Sequence, residues 1–225
     1  NDNAWLMYFG DHALGRSRWA LHAEAQVRRA DLGATWQQLL LRPGLIYTWS
    51  STARVTAGYA WIDTYRYGEQ PAAARFPEHR LWEQLTLTHA SGPVALQQRY
   101  RLEQRWVGDV RPGAGGAPDE RLGWRYTNRF RYLGRATLPL RGRTVAVGTP
   151  YVSVYDEVFV SAGRNVRQNV FDQNRAYVAL GWRPSPTLRV EGGYLHQLIL
   201  KANGRDMEHN HTLQIGLFSN AALPF

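Results

Sequence analysis

The sequence predicts an all-β protein, an antiparallel transmembrane β-barrel of the outer-membrane type. Three observations carry that expectation. The first is strict alternation over residues 94–138. Gln97, Arg99, Arg101, Glu103 and Arg105 alternate with Val94, Leu96, Gln98, Tyr100, Leu102, Gln104 and Trp106. In the next segment Arg125, Thr127, Arg129, Arg131 and Arg135 alternate with Trp124, Tyr126, Asn128, Phe130 and Tyr132. Successive side chains of a strand point to opposite faces, so a period of two marks a strand. One face charged and the other aliphatic and aromatic suits a wall between lipid and a polar interior. The second observation is the tryptophans. Trp5, Trp19, Trp36, Trp49, Trp61, Trp106, Trp124 and Trp182 fall at or near segment ends, and only Trp82 lies further in. Rings with one polar handle favour the two membrane–water interfaces. The third is the connections, which alternate short and long as the turns and loops of outer-membrane barrels do.

In order, the strand-like segments are 4–12, 18–29, 36–48, 53–63, 79–90, 93–107, 121–138, 144–159, 173–183, 188–201 and 208–218. Turn chemistry separates them: Ser-Gly at 91–92 and Pro-Ser-Pro at 184–186 break strands. The short connections are 13–17, 49–52, 91–92, 139–143 and 184–187, and the longer ones 30–35, 64–78, 108–120, 160–172 and 202–207. Eleven segments conflict with the even strand number of bacterial single-chain barrels. Segment 4–12, Ala-Trp-Leu-Met-Tyr-Phe-Gly-Asp-His, is apolar on both faces and is the suspect. Either it is no regular wall strand and ten remain, or a turn is hidden and the count is twelve. The last strand alternates Thr212, Gln214 and Gly216 with Leu213, Ile215 and Leu217, and the terminal Phe225, after Pro224, resembles a barrel-assembly signal.

The bulk properties agree with one barrel domain over residues 1–225. No apolar run approaches the length of a membrane helix, which does not exclude a membrane crossed by strands. Cysteine is absent, so disulfides and thiolate metal sites are excluded. An exported chain loses its signal peptide, so nothing follows from the lack of one before Asn1. The net charge of +9 and the pI near 10.2 raise a nucleic-acid partner. The arginines alternate with lipid-type residues instead of forming a patch, so no nucleic-acid partner is expected. Lys201 is the one lysine.

Several stretches resemble an uncharacterised outer-membrane barrel family, catalogued only as a domain of unknown function. They are Gln38-Leu-Leu-Leu-Arg-Pro-Gly44, Ala57-Gly-Tyr-Ala-Trp-Ile-Asp63 with Tyr67-Gly68, and Phe76-Pro-Glu-His-Arg-Leu-Trp82. Further ones are Arg99-Tyr-Arg-Leu-Glu-Gln-Arg105, Asn128-Arg-Phe-Arg131, Asp156-Glu157, Phe171-Asp-Gln-Asn-Arg175 and Asn210-His-Thr-Leu213. The resemblance implies a barrel and a bacterial outer-membrane address, and no activity.

The inward face holds the site candidates: Arg80, Arg99, Arg101, Glu103, Arg105, Arg125, Arg129, Arg131, Glu157, Arg175 and Glu191, with Glu24, Gln26, Arg28, Arg42, Gln84 and Gln197 on the same parity. Two readings follow. One is a small Arg-lined channel or binding barrel for acidic solutes, because rings of Arg favour anions. The other is a closed barrel plugged by salt bridges, an accessory subunit of an envelope complex, because small barrels fill their lumen and buried charges need partners. A third class is a lipid-modifying enzyme, which needs a Ser or carboxylate beside His on the wall. Ser153 is the one serine centred in a strand, and no motif selects a nucleophile, so no catalytic residue is assigned. His209 and His211 share a face, and with Glu208 and His79 they are acid–base candidates. No third ligand accompanies them, so neither a metal nor a cofactor is assigned. Loops 64–78 and 160–172 are long enough to contact a ligand. The expected partners are outer-membrane lipid, acidic small solutes and other envelope proteins. A monomer is expected, with the polar outward run Gln98, Gln104 and Asn128 as a potential oligomer contact.

Overall fold

In the computed structural model, which describes residues 1–69 and 71–223, eleven strands close into one barrel. They are β1 Asp2–Ala13, β2 Trp19–Ala30, β3 Thr35–Thr48, β4 Ala53–Thr64, β5 Phe76–Ser91 and β6 Val94–Arg111. The rest are β7 Glu120–Pro139, β8 Pro150–Ala162, β9 Phe171–Ser185, β10 Leu188–Leu200 and β11 Met207–Ser219. Each strand pairs antiparallel with its sequence neighbour, and β1 closes the wall by pairing parallel with β11.

The count corrects the expectation of ten or twelve. Segment 4–12 is a wall strand, in register with β11 from Asp2↔His211 to Gly10↔Ser219 and with β2 from Asn3↔Ala30 to Ala13↔Ala20. An odd number closes because first and last strands can pair in parallel, which leaves neither edge open. The segment is apolar on both faces because its inward residues meet an apolar part of the interior. Trp5 and Met7 pack there with Tyr177, Ala179 and Leu195, and Phe9 and Tyr155 lie against them. Leu6 and Tyr8 hold the outward parity, and Leu6 is 52% exposed.

The connections divide between two ends. At one end lie 14–18, 49–52, 92–93, 140–149 and 186–187, and at the other 31–34, 65–75, 112–119, 163–170 and 201–206. The loops expected at 64–78, 108–120 and 160–172 are shorter, at 65–75, 112–119 and 163–170, because the strands run further, and the turn expected at 184–187 shrinks to 186–187. The turn expected at 139–143 extends to residue 149, because β8 begins only at Pro150, a residue that cannot donate to a ladder. The loop expected at 30–35 is a tight 3-10 turn, Asp31–Gly33, with positive φ at Asp31, Leu32 and Gly33. At the other extreme, Gly92, at φ +57°, turns the two-residue hairpin between β5 and β6, a backbone conformation that costs least without a Cβ. The assembly signal expected at Pro224 and Phe225 lies outside the described residues.

The polarity is inverted relative to a soluble barrel. The outward parity of every strand is mostly apolar: Leu41, Leu81, Leu102, Phe130, Val178, Leu180, Leu213 and Ile215 are exposed. The tryptophans sort to the rims of this outer face. Trp36, Trp61, Trp106 and Trp124 lie towards the longer-loop end, and Trp19, Trp49 and Trp182 towards the other. Trp5 departs from the expected girdle: it and Trp82 point inward, 2% and 1% exposed. Trp82 fits because the wall beside it is Gly58, its partner on β4, and Gly44, paired with Gly58 on β3, whose missing side chains leave room for the indole.

Candidate functional site

The interior is polar and charged, and the charges are ordered. At mid-height Glu103 on β6 is completely buried. Its Oε2 accepts from Arg129 Nη2 at 2.7 Å and Nε at 3.0 Å, and its Oε1 from Arg131 Nη1 at 2.7 Å. Arg80 at 3.4 Å, Arg42 at 3.6 Å and Arg101 at 3.9 Å complete the ring around it. Most of these arginines bridge onward: Arg131 to Glu157 at 2.7 Å, Arg129 to Asp172 at 2.9 Å, Arg80 to Glu78 at 2.6 Å and Arg42 to Glu24 at 2.7 Å. Alternation explains the layer: residues two apart on one strand share a face, and registered neighbours such as Glu103↔Arg129 meet side by side. Trp82 lies in the same layer, with the Arg101 guanidinium 4.6 Å from its ring centre.

This layer separates two cavities. One, about 480 Å³, opens towards the longer loops, and the other, about 690 Å³, towards the opposite end. Gln26, Arg42, Arg131 and Arg175 border both. Arg99 and Glu157, bonded at 2.5 Å, line the larger cavity with Arg135, which pairs behind the lining with Glu191, the acceptor of the Tyr151 hydroxyl at 3.0 Å. His22 bridges Asp11 at 2.8 Å in the same space.

Both cavities are basic, and the smaller one is walled by residues of the longer-loop end. Nine arginines and two carboxylates, Glu78 and Asp172, line it. Arg105 and Arg80 both bind Glu78, and Arg129 binds Asp172. Tyr67, from the β4–β5 loop, leans over the cavity and donates to Glu208 at 3.2 Å. Burial, reinforced by the Glu208 carboxylate, pushes its phenol up to about 12. A bulge in the β2–β3 ladder, where Arg28 pairs with Gln38 but Arg29 with Trp36, lets Gln37 and Gln38 both reach the interior. Gln37 accepts from Trp5 Nε1 at 2.6 Å and Gln38 from Arg28 at 2.7 Å.

Of the residues marked in the sequence, Arg80, Arg101, Glu103, Arg129, Arg131, Glu157, Arg175 and Glu191 are buried inside the wall, and Arg99 and Arg105 are half-buried there. Arg125 borders the smaller cavity but is exposed near its mouth, outside the ion-pair network. Glu78 and Asp172 fall in segments expected to be loops. The unbroken parity Glu78, Arg80, Trp82, Gln84 was the signal that β5 starts earlier. The acid–base set is not assembled. Glu208 points inward, whereas His209 and His211 are exposed on the outer face, and His79 lies beside Tyr59 and Trp124 on the outer side of β5. His196 joins the outer pair, its Nε2 3.2 Å from His209 Nδ1, yet no group of three ligands among the described residues is arranged to hold a metal ion. Ser153 faces inward, fully buried, its hydroxyl without a hydrogen-bond partner among the described residues. Outside, Gln104 donates to Glu83 at 3.1 Å and Asn174 to Asp156 at 2.9 Å, so the outward polar residues include partners that strand parity alone did not highlight.

Fold and interior together define a class: a closed β-barrel with an apolar outer belt and a basic, ion-paired interior. Within that class, the chain belongs to the family described as Protein of unknown function (DUF2490), whose model matches residues 2–208. Neither a curated protein nor a solved structure matches it.

Proposed function

We propose that this protein is a bacterial outer-membrane barrel that binds acidic solutes in its longer-loop cavity and is closed at mid-height, rather than an open pore. The apolar outer belt with tryptophans at both rims supports a lipid-facing wall, because exposed apolar surface on this scale is an interaction surface. The observation that carries the closed-barrel part is Glu103: five arginines converge on one fully buried carboxylate and fill the space between the two cavities. The surplus of arginine over carboxylate above that layer makes the remaining cavity attractive to anions. Arginine stays charged at any physiological pH, so the attraction does not titrate away.

Two measurements test this. The protein expressed with an export signal should fractionate with the outer membrane, and the purified barrel should be silent in planar bilayers. Recovery as a soluble monomer would sink the lipid-facing wall. Steady conductance would sink the closed layer, and cation selectivity would in addition contradict the assignment of the charge.

A further inference from the structure

Within the smaller cavity two arginines stand apart. Arg28 and Arg175 are buried, 8% and 9% exposed, yet among the described residues neither forms an ion pair. Arg28 donates only to amide oxygens, from Nε to Gln26 at 2.9 Å and from Nη1 to Gln38 at 2.7 Å, with Nη2 also on Gln26. Arg175 donates from Nε to Gln173 at 3.3 Å. Both sit against the same indole: their guanidinium carbons are 4.1 and 5.3 Å from the centre of the Trp5 ring. Glu157, the ladder neighbour of Arg175, is taken up by Arg99 and Arg131, and two like charges held out of water with no carboxylate in ion-pair contact is an arrangement that folding alone disfavours. Every other arginine bound at mid-height has found a carboxylate. An anion entering the cavity would supply the missing charge to both, and a carboxylate or phosphate matches the planar fork of a guanidinium.

The remaining walls say what carries the anion. Gln26, Gln37, Gln38, Gln173 and Gln197 contribute side-chain amides, and Thr64, Tyr67 and Thr127 contribute hydroxyls, that of Thr127 buried and unpartnered. Amides and hydroxyls offer both donors and acceptors to sugar hydroxyls, whereas a bare inorganic anion would use their donors alone. The volume, about 480 Å³, lies in the range of small-ligand pockets. We propose that Arg28 and Arg175 form an anion subsite in this cavity for a small acidic sugar, a uronate or a sugar phosphate. This deepens the acidic-solute barrel above and rests on it.

The test is calorimetric titration of the full-length barrel in detergent with glucuronate, glucose 6-phosphate, inorganic phosphate and neutral glucose. Both acidic sugars should bind and glucose should not. Inorganic phosphate should bind more weakly than glucose 6-phosphate. Replacing the pair, R28Q with R175Q, should raise the dissociation constant for the acidic sugars at least about tenfold. The same double variant should unfold in ligand-free buffer at or above the urea midpoint of the wild type, because two uncompensated charges are gone. A lower midpoint would mark the arginines as structural and overturn the subsite. Neutral glucose binding as tightly as the acidic sugars would overturn it too. Acidic sugars that bind R28Q/R175Q normally but not R143Q/R189Q, whose arginines line the other cavity, would overturn the subsite and leave the acidic-solute barrel standing. No binding of any acidic sugar to the wild type would overturn both.

Discussion

Replacing Glu103 with glutamine tests the closed layer at its centre. The change is isosteric, so it opens no cavity, and its cost is electrostatic. Five arginines lie within 3.9 Å of Glu103. Four of them keep a second carboxylate: Arg129 keeps Asp172, Arg131 keeps Glu157, Arg80 keeps Glu78 and Arg42 keeps Glu24. Arg101 keeps only the amide of Gln84, at 2.8 Å. Glu157 and Glu78 also serve Arg99 and Arg105, so the layer already holds more arginine than carboxylate, and the substitution adds one buried positive charge to that surplus instead of leaving five arginines unpaired. Breaking a buried pair by removing one partner costs about 3–5 kcal/mol. We expect E103Q to destabilise the barrel by that amount and R101Q, which relieves the surplus charge, by less than about 1 kcal/mol. Urea unfolding of the barrel in lipid vesicles, followed by tryptophan fluorescence and by mobility on unheated gels, measures both. Equal losses for the two variants, or a loss below about 1 kcal/mol for E103Q, would mean that water screens the layer and that it does not close the barrel.

Four other outcomes follow from the packing. Trp82→Ala should cost about 3–5 kcal/mol in the same unfolding assay, as a buried indole leaves a cavity and Arg101 loses its ring. Gly58→Val should cost about 1–3 kcal/mol, since even a Cβ there would come within 2.3 Å of the Pro43 carbonyl and 2.9 Å of Trp82; a fully folded band at wild-type midpoint would contradict the Gly44–Gly58 seat for the indole. Phe130→Arg, on the outer face, should cost about 2–4 kcal/mol in lipid vesicles if its site lies near the membrane midplane, and no cost would speak against a lipid-facing belt. Tyr67 has a phenol pKa raised from its ordinary value near 10 to about 12, so its neutral form contributes stability that is complete below pH 10 and lost as pH rises through 12; Tyr67→Phe should remove that part of the alkaline loss of stability, and identical profiles would refute the assignment.

Some of this protein was legible without its structure. In β6 and β7 the alternation of arginine with Tyr100, Leu102, Phe130 and Tyr132 assigns the faces, because the direction of successive side chains along a strand is a local property of the backbone. The same parity marked Arg28, Arg42 and Glu24 as inward. It could not rank them, since neighbours across a ladder depend on register and on closure.

Three features were decided only by the tertiary structure. Closure with eleven strands rests on the parallel pairing of β1 with β11, a contact between the two ends of the chain that no local pattern encodes. The inward position of Trp5 follows from the same pairing, and it draws Arg28 and Arg175 onto one ring although they stand far apart in sequence. Which arginines find carboxylates is likewise a question of register and depth: Glu103 gathers partners from β3, β5 and β7 besides its own strand, whereas Arg28 and Arg175 are left to amides. Strand period is set between adjacent residues and so can be read along the chain. Pairing of charges across a closed barrel is set by the wall as a whole.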